Sequence, residues 1–486
     1  MSYIDHKIKE VFPDIAVMKK SENKSLFTGR NLPSFVKDFI LRKYLNSEGI
    51  VDSGKVVTYL ESKMPNPDSL KARLLAGEEV NITTRFIIKT DLSIGKTTFS
   101  IPDAQLTKDA YLSSTLLAEK REDLIDGEHW GNITLEYVVP QGNKKGFVQM
   151  VSFKSFNPYK ISPDYYKDAR QHFTLEEWMD ILISTMEYNP ESFISEEQKL
   201  EFISRLLVFV EPQLNVIELG PKGTGKSYIF NNLSKYAWII SGGKTSRAKL
   251  FYNKSTKQYG IMKYHDVVAF DEISTFGFTD PDEMQSILKS YLEAGKASVD
   301  NVMFQADCGL LLMGNIPLSG DMQPRSKEYF RTLPEMFHES ATIDRFHSFI
   351  EGWKLPRLSS GSVLEGWAIN AEYFSEILHH LRTDVSYEGI FNKIVTYSSS
   401  CDMRDLNAVR KVATAYAKLL FPHIVDIDAL EPQELEEYKQ LYNNYCLTPA
   451  IYRRGIIRSQ CHLIDEEFKI EMPDFHMKET PIDDEI

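Results

Sequence analysis

No run in this 486-residue chain approaches the about 20 consecutive apolar residues that a bilayer-spanning helix needs, so no membrane span is expected. The first residues, Ser2 to Lys9, are polar and lack the apolar stretch of a secretory signal. Cysteine is scarce. Cys308, Cys401, Cys446 and Cys461 include no C-x-x-C pair, which argues against a zinc cage and for reduced thiols in a cytoplasmic protein. Positive charge is in deficit: 56 Lys and Arg stand against 69 Asp and Glu, for a net charge of −13. That excludes a wholly basic nucleic-acid coat, although net charge does not describe a local groove. There is no internal repeat and no low-complexity tract. What remains, 42% hydrophobic and 26% charged, is an ordinary globular composition long enough for two or three domains.

Against this background one stretch carries definite chemistry. Gly220-Pro221-Lys222-Gly223-Thr224-Gly225-Lys226-Ser227 completes G-x-x-x-x-G-K-[ST]. Asn215 to Leu219 before it reads as a short buried strand, and Ser227 to Leu233 after it as the first turns of a helix. Gly220, Gly223, Thr224 and Gly225 would turn backbone N–H groups inward around phosphate oxygens, with the helix N-terminus adding partial positive charge. Lys226 would reach the β- and γ-phosphates of ATP, and Ser227 would ligate Mg²⁺.

Further polar residues follow in order. Val267-Val268-Ala269-Phe270-Asp271-Glu272 is an apolar strand ending in two carboxylates, about 45 residues beyond Lys226. At that place Asp271 would hold Mg²⁺ and Glu272 would polarise the attacking water. Gly309 to Met313 is a third apolar strand, ending Gly314-Asn315. Asn315 would orient the lytic water, although a strand-ending Asn is often only a turn residue. Thr342-Ile343-Asp344-Arg345-Phe346-His347 offers Arg345 as an arginine finger. Met403 to Lys411 offers Arg404 at the opening of a helix.

One more absence is local. Between Glu218 and Asp266 there is neither Asp nor Glu, yet the interval holds Lys222, Lys226, Lys235, Lys244, Arg247, Lys249, Lys254, Lys257 and Lys263. The residues beyond the loop are interleaved with Phe251, Tyr252, Tyr259 and Tyr264, a mixture suited to a nucleic-acid backbone and its bases. The alternative is a solvated basic loop, or one that pairs with the acids of a neighbouring subunit. Lys244, Arg247, Lys249 and Lys254 are the candidate DNA contacts.

Four regions divide the chain. Residues 1–75 read as helical, with helical apolar spacing from Ser34 to Leu45. Residues 76–170 alternate as a small β-rich, OB-like domain, with a hairpin of 132–139 and 146–151 about Gln141-Gly142-Asn143. Residues 171–425 hold the nucleotide-binding domain and its lid, entered through Thr174/Glu177 and Ser195/Gln198 capping boxes. Residues 426–486 form a helical extension and a tail in which Lys469 and Lys478 oppose nine acids from Asp465 onward, read as solvated and disordered.

Ser241-Gly242-Gly243-Lys244-Thr245-Ser246, Ile343 to Phe346 and Arg404 to Arg410 resemble elements of the minichromosome-maintenance branch of AAA+ ATPases. In that branch the first begins an insert in the second helix, the second carries the finger and the third carries sensor 2. Glu218 to Ser227, Ile240 to Gly243, Val267 to Glu272, Asp344 to His347 and the segment around Pro33 to Val36 resemble the Lon-like BrxL family of BREX bacteriophage-exclusion systems. The resemblance implies an α/β fold: a P-loop AAA+ core with a parallel sheet and helical lid, preceded by a helical plus small β N-terminal domain. It also implies a hexameric or heptameric ring, single or stacked, that binds double-stranded DNA and works with other BREX proteins. Only about 65 residues follow the Arg404 helix, too few for the family's Ser-Lys protease-like domain, so protease activity is not expected. The hairpin before the third strand turns through Val299-Asp300-Asn301 and is not basic. A nucleotide-gated clamp and a protein unfoldase remain alternatives to a DNA motor.

Overall fold

The computed structural model describes residues 3–479 except 31, 47–49, 65, 92–95, 121–123, 125–126, 143–144, 156–160 and 256. Two compact units emerge, one of residues 22–30 and 39–160, the other of residues 1–21, 31–38 and 161–486.

The smaller unit is built on a closed five-stranded barrel of Val80–Asp91, Lys96–Ser100, Ala110–Leu112, Gly127–Val138 and Phe147–Ser155. Its order is first, second, third, fifth, fourth, and back to the first, with the third and fifth strands parallel. The helix Ser114–Glu119 lies between the third and fourth strands, completing the arrangement of an OB-fold. Alternation drives closure: Ile82, Phe86, Ile88, Ile133, Leu135 and Met150 meet inside while their neighbours face outward. The fourth and fifth strands pair as the expected hairpin, Val138 opposite Phe147; its turn residue Asn143 lies outside the described residues.

The larger unit holds a five-stranded sheet in the order Ser348–Glu351, Val216–Gly220, Gly309–Asn315, Val267–Asp271, Ala237–Ser241. Every adjacent pair is parallel. Such strands are covered on both faces, which is why they read as continuous apolar runs rather than alternating ones. Ile217, Leu219, Val268, Phe270, Leu310 and Leu312 are all buried in one cluster.

Several sequence expectations are corrected here. The first 75 residues are not one helical block: Ala16–Lys19 pairs antiparallel with Gly366–Ile369 in the larger unit, because Phe12, Ile15 and Val17 are core residues there. The helix Pro163–Arg170, grouped above with the β-rich region, also belongs to the larger unit, where Arg170 donates to the carbonyls of Leu420 and Phe173. The capping box of Thr174 and Glu177 forms in full. At Ser195 only half of it does, since the Gln198 side chain accepts from Ile194 N instead. The acidic tail is structured as far as it is described: Phe475–Met477 pairs with Val395–Tyr397, and Phe475 is buried. Among the described residues no helix is long and apolar enough to cross a membrane.

Candidate nucleotide site and basic insert

Parallel strands end together, and the polar residues that terminate these apolar runs are collected at one edge of the sheet. Asn315 pairs in register with Gly220, and Phe270 with Leu312, so the loop, the acid pair and the amide share the carboxyl ends of three adjacent strands. That edge is where open α/β sheets hold ligands.

The loop is shaped by backbone demands that only glycine meets. A Cβ on Gly220 would lie 2.7 Å from the Gly352 carbonyl carbon. Gly225 has φ +75°, and a Cβ there would lie 1.8 Å from the Tyr188 hydroxyl oxygen. The Lys226 ammonium donates to the carbonyls of Gly220 (3.2 Å) and Pro221 (2.8 Å). Burial holds its pKa below the ordinary lysine value, against the opposing pull of Glu218. Ser227 follows at the start of the helix Lys226–Asn232. This helix is pinned by Tyr228, which donates to Glu187; Glu187 in turn accepts from Lys19 (3.1 Å).

Sequence reasoning passed over the brace beneath the loop. Arg205, fully buried, donates through Nη2 to Glu218 Oε1 at 2.5 Å and through Nη1 to the Thr224 carbonyl at 2.9 Å. One guanidinium thus joins the strand to the loop that follows it. An acid inside an apolar strand was the available signal, since a buried carboxylate needs a partner. Arg205→Met should cost about 3–5 kcal/mol of stability, because it leaves the Glu218 carboxylate buried and unpaired. Urea unfolding measures this, and a loss below about 1 kcal/mol would show that the pair does not hold the loop.

At the acid pair, Asp271 Oδ1 accepts from Glu272 N (3.0 Å). Glu272 has φ +53° and is exposed, an uncommon backbone state for a residue with a side chain, of the kind found at functional sites. Asn315 is half-buried beside the loop strand. The Ser227 hydroxyl and the Asp271 carboxylate are hard oxygen donors suited to Mg²⁺. Together with the glycine cradle and Lys226, they fit a magnesium nucleotide.

The structure places Arg345 and Arg404 elsewhere. Ser348 pairs with Val216, the amino-terminal end of the loop strand, so Arg345 lies toward the opposite edge of the sheet from the phosphate loop. Arg345 Nε sits 2.8 Å from Glu293 Oε2, buried and without an aligned hydrogen bond to any described residue. Arg404 reaches the same Glu293 (Nη2 to Oε2, 3.0 Å) and also Asp344 (Nη1 to Oδ2, 3.0 Å). The two arginines therefore form one cluster, away from their own loop.

The acid-free stretch divides into parts that the sequence joined. Ala237–Ser241 is a sheet strand with Ser241 opposite Asp271, so Ser241-Gly242-Gly243 is a strand end and turn, not the inside of a helix. The only α-helix described between this strand and Val267–Asp271 is Arg247–Leu250, followed by a short pairing of Tyr252–Asn253 with Gln258–Tyr259. Phe251 is fully buried against Phe304 (ring centroids 5.2 Å apart), which removes it from any base-stacking surface. Lys235 is neutralised by Glu372 (3.1 Å) and Glu376 (2.5 Å). Arg247 is paired with Asp300 (2.8 Å) at the hairpin turn and Glu283 (3.1 Å). Lys244, Lys249 and Lys254 are exposed. The insert packs on the acidic-tipped hairpin Lys296–Val299/Val302–Gln305: Arg247 meets Asp300 at its turn, and Lys263 donates to the Gln305 carbonyl (2.8 Å) at its base.

Comparison with known proteins adds independent findings. A family model described as Lon-like protease BrxL-like, ATPase domain, matches residues 148–474. A second, described as BREX system Lon protease-like protein BrxL N-terminal, matches residues 10–137. A curated relative from Escherichia coli O9:H4 (strain HS), named Lon-like protease BrxL, is 29% identical over 415 residues, covering 84% of this chain and 59% of the relative. One of the same name from Bacillus cereus (strain H3081.97) is 28% identical over 416 residues, covering 84% and 61%. The chain thus spans about 60% of the length of the curated relatives it matches.

Proposed function

Because the chain belongs to the Lon-like BrxL family of BREX systems, we propose that it is an ATPase of phage exclusion that works as a ring on duplex DNA, each site completed by a neighbouring copy. The observation that carries this reading is the separation of the catalytic groups. The loop, Asp271, Glu272 and Asn315 share one sheet edge, while Arg345 and Arg404 cluster toward the other. The five residues of the loop strand put roughly 3.3 Å each between the two edges, more than an arginine side chain spans. Packing copies head to tail would bring the arginine cluster of one copy to the phosphate loop of the next.

Within one site, Gly220, Gly223, Thr224 and Gly225 would supply backbone N–H groups to phosphate oxygens, and Lys226 would add a cation there. Ser227 and Asp271 would hold Mg²⁺, whose charge offsets that of the phosphates when bound. Glu272 would take up the proton of the attacking water, and Asn315 would orient that water. Arg345 would stabilise negative charge that grows only in the transition state, making turnover depend on assembly.

For DNA, the support is the exposed trio Lys244, Lys249 and Lys254 in a chain of net charge −13. Each phosphate contact contributes about 0.9 to the log–log slope of affinity against salt. Lys249→Ala combined with Lys254→Ala should therefore weaken duplex binding evenly across sequences and flatten the slope by about two units. Arg247→Ala should leave the slope unchanged, since Asp300 and Glu283 already match its charge. Unchanged affinity and slope in the double lysine variant would move DNA away from the insert. Turnover stimulated by an unfolded protein but not by duplex DNA would favour an unfoldase.

A further inference from the structure

The helix Thr448–Ile464 runs against the edge strand Ser348–Glu351, and two adjacent arginines anchor it in the ATPase sheet. Arg453, nearly fully buried, donates to the Phe349 carbonyl (2.7 Å), to Glu201 (2.6 Å) and to the Tyr416 hydroxyl (2.9 Å). The helical turn sends Arg454 another way. Its side chain has no exposure at all, and among the described residues its hydrogen bonds go to the segment around Arg345 and to the helix that carries Arg404.

The bonds of Arg454 are unusual in what they bracket. Nη1 donates to the carbonyl oxygens of Asp344 (2.8 Å) and Phe346 (3.0 Å), the residues on either side of Arg345. Nη2 donates to Asp344 Oδ1 (2.5 Å), leaving Oδ2 of the same carboxylate to accept from Arg404 Nη1 (3.0 Å). Nε donates to Asp405 Oδ1 (2.7 Å), and Arg458, one helical turn further along, donates to the other oxygen of Asp405. A buried guanidinium requires acceptors on its forked edge, and the planar fork fixes where those acceptors stand. Lysine, with a single compact head, cannot hold both carbonyls and both carboxylates in one plane.

We propose that Arg454 is a positioning residue for Arg345: it clamps the backbone on both flanks of the finger and ties Asp344, and through it Arg404, to the C-terminal helix. The role rests on the reading that Arg345 acts at the site of a neighbouring copy. Positioning matters here because misplacing a catalytic group by about 1 Å costs on the order of 10²-fold in rate.

Subunit mixing separates positioning from general stability. Arg454→Lys should bind ATP with wild-type affinity and hydrolyse it about 10²-fold more slowly. Mixed with Lys226→Ala subunits it should regain part of the activity, because its intact loop then meets an intact finger. Mixed with Arg345→Ala subunits it should regain none, because every interface then carries a defective finger. A merely structural role predicts the reverse: weakened ATP binding and no rescue by Lys226→Ala. Wild-type turnover of Arg454→Lys would overturn the proposal. So would failure of its rescue under conditions where Arg345→Ala is rescued by Lys226→Ala. If Arg345→Ala is itself not rescued in demonstrably mixed rings, the reading across subunits fails and the positioning role fails with it. Should the lysine protein not fold, Arg454→Gln, which leaves Asp405 its bond to Arg458, takes its place with the same expected pattern.

Discussion

Alanine in place of Arg345 is expected to slow ATP hydrolysis about 10³–10⁵-fold while leaving ATP binding intact. The loss is large because an arginine finger acts on charge that develops only in the transition state, in a site from which water is largely excluded. Binding survives because Arg345 lies toward the far sheet edge from the loop of its own chain, engaged with Glu293 and the Ala341 carbonyl. The ion pair with Glu293 lacks an aligned hydrogen bond, so exchanging it for a phosphate oxygen sacrifices little. Complementation decides the direction of action. Arg345→Ala subunits mixed with Lys226→Ala subunits should recover part of the turnover, since some interfaces then join an intact loop to an intact finger. Absence of recovery in rings shown to be mixed would place the finger's action within one chain or remove it altogether.

Glu272→Gln is expected to lower turnover by about 10²–10⁴ and to keep the nucleotide bound. Glutamine preserves the size of the side chain and leaves the neighbouring Asp271 and Lys226 untouched, but it cannot accept the proton of the attacking water. The backbone turn that carries residue 272, with φ +53°, is held by bonds its side chain does not make. Asp271 Oδ1 accepts from its N–H, and its carbonyl accepts from Thr275. The variant should therefore accumulate as a nucleotide-bound form, measurable by retention of labelled ATP alongside a coupled assay of phosphate release. Lys226→Ala, by contrast, should lose binding itself. Hydrolysis at the wild-type rate by Glu272→Gln would show that another group activates the water.

The phosphate loop was legible because its chemistry is contiguous. Eight consecutive residues, Gly220 to Ser227, carry both the backbone freedom and the cation, so nothing distant has to be known. Asp271 and Asn315 were legible for a related reason, since an apolar run that stops at a polar residue marks the end of a buried strand. Neighbourhood was not legible. Gly309–Asn315 lies between the loop strand and the acid strand although it follows both in the chain, because parallel strands choose partners by packing across helices.

The acid-free stretch marks the limit most clearly. Along the chain it is nine basic residues without a carboxylate, but charge is matched through space. Lys235 meets Glu372 and Glu376, Arg247 meets Asp300 and Glu283, and Phe251 turns inward to Phe304. The residues from Thr448 onward, which the sequence offers as a helical extension and tail, supply Arg454, which holds the backbone on both sides of Arg345, and Arg453, which holds the edge strand at Phe349. Local sequence alone determined the glycine-lysine loop and the polar ends of the buried strands, because each of those signals is contiguous in the chain. Tertiary structure alone decided which cations stay exposed and which end of the sheet each arginine occupies, because ion pairing and burial are settled by residues far apart in the chain.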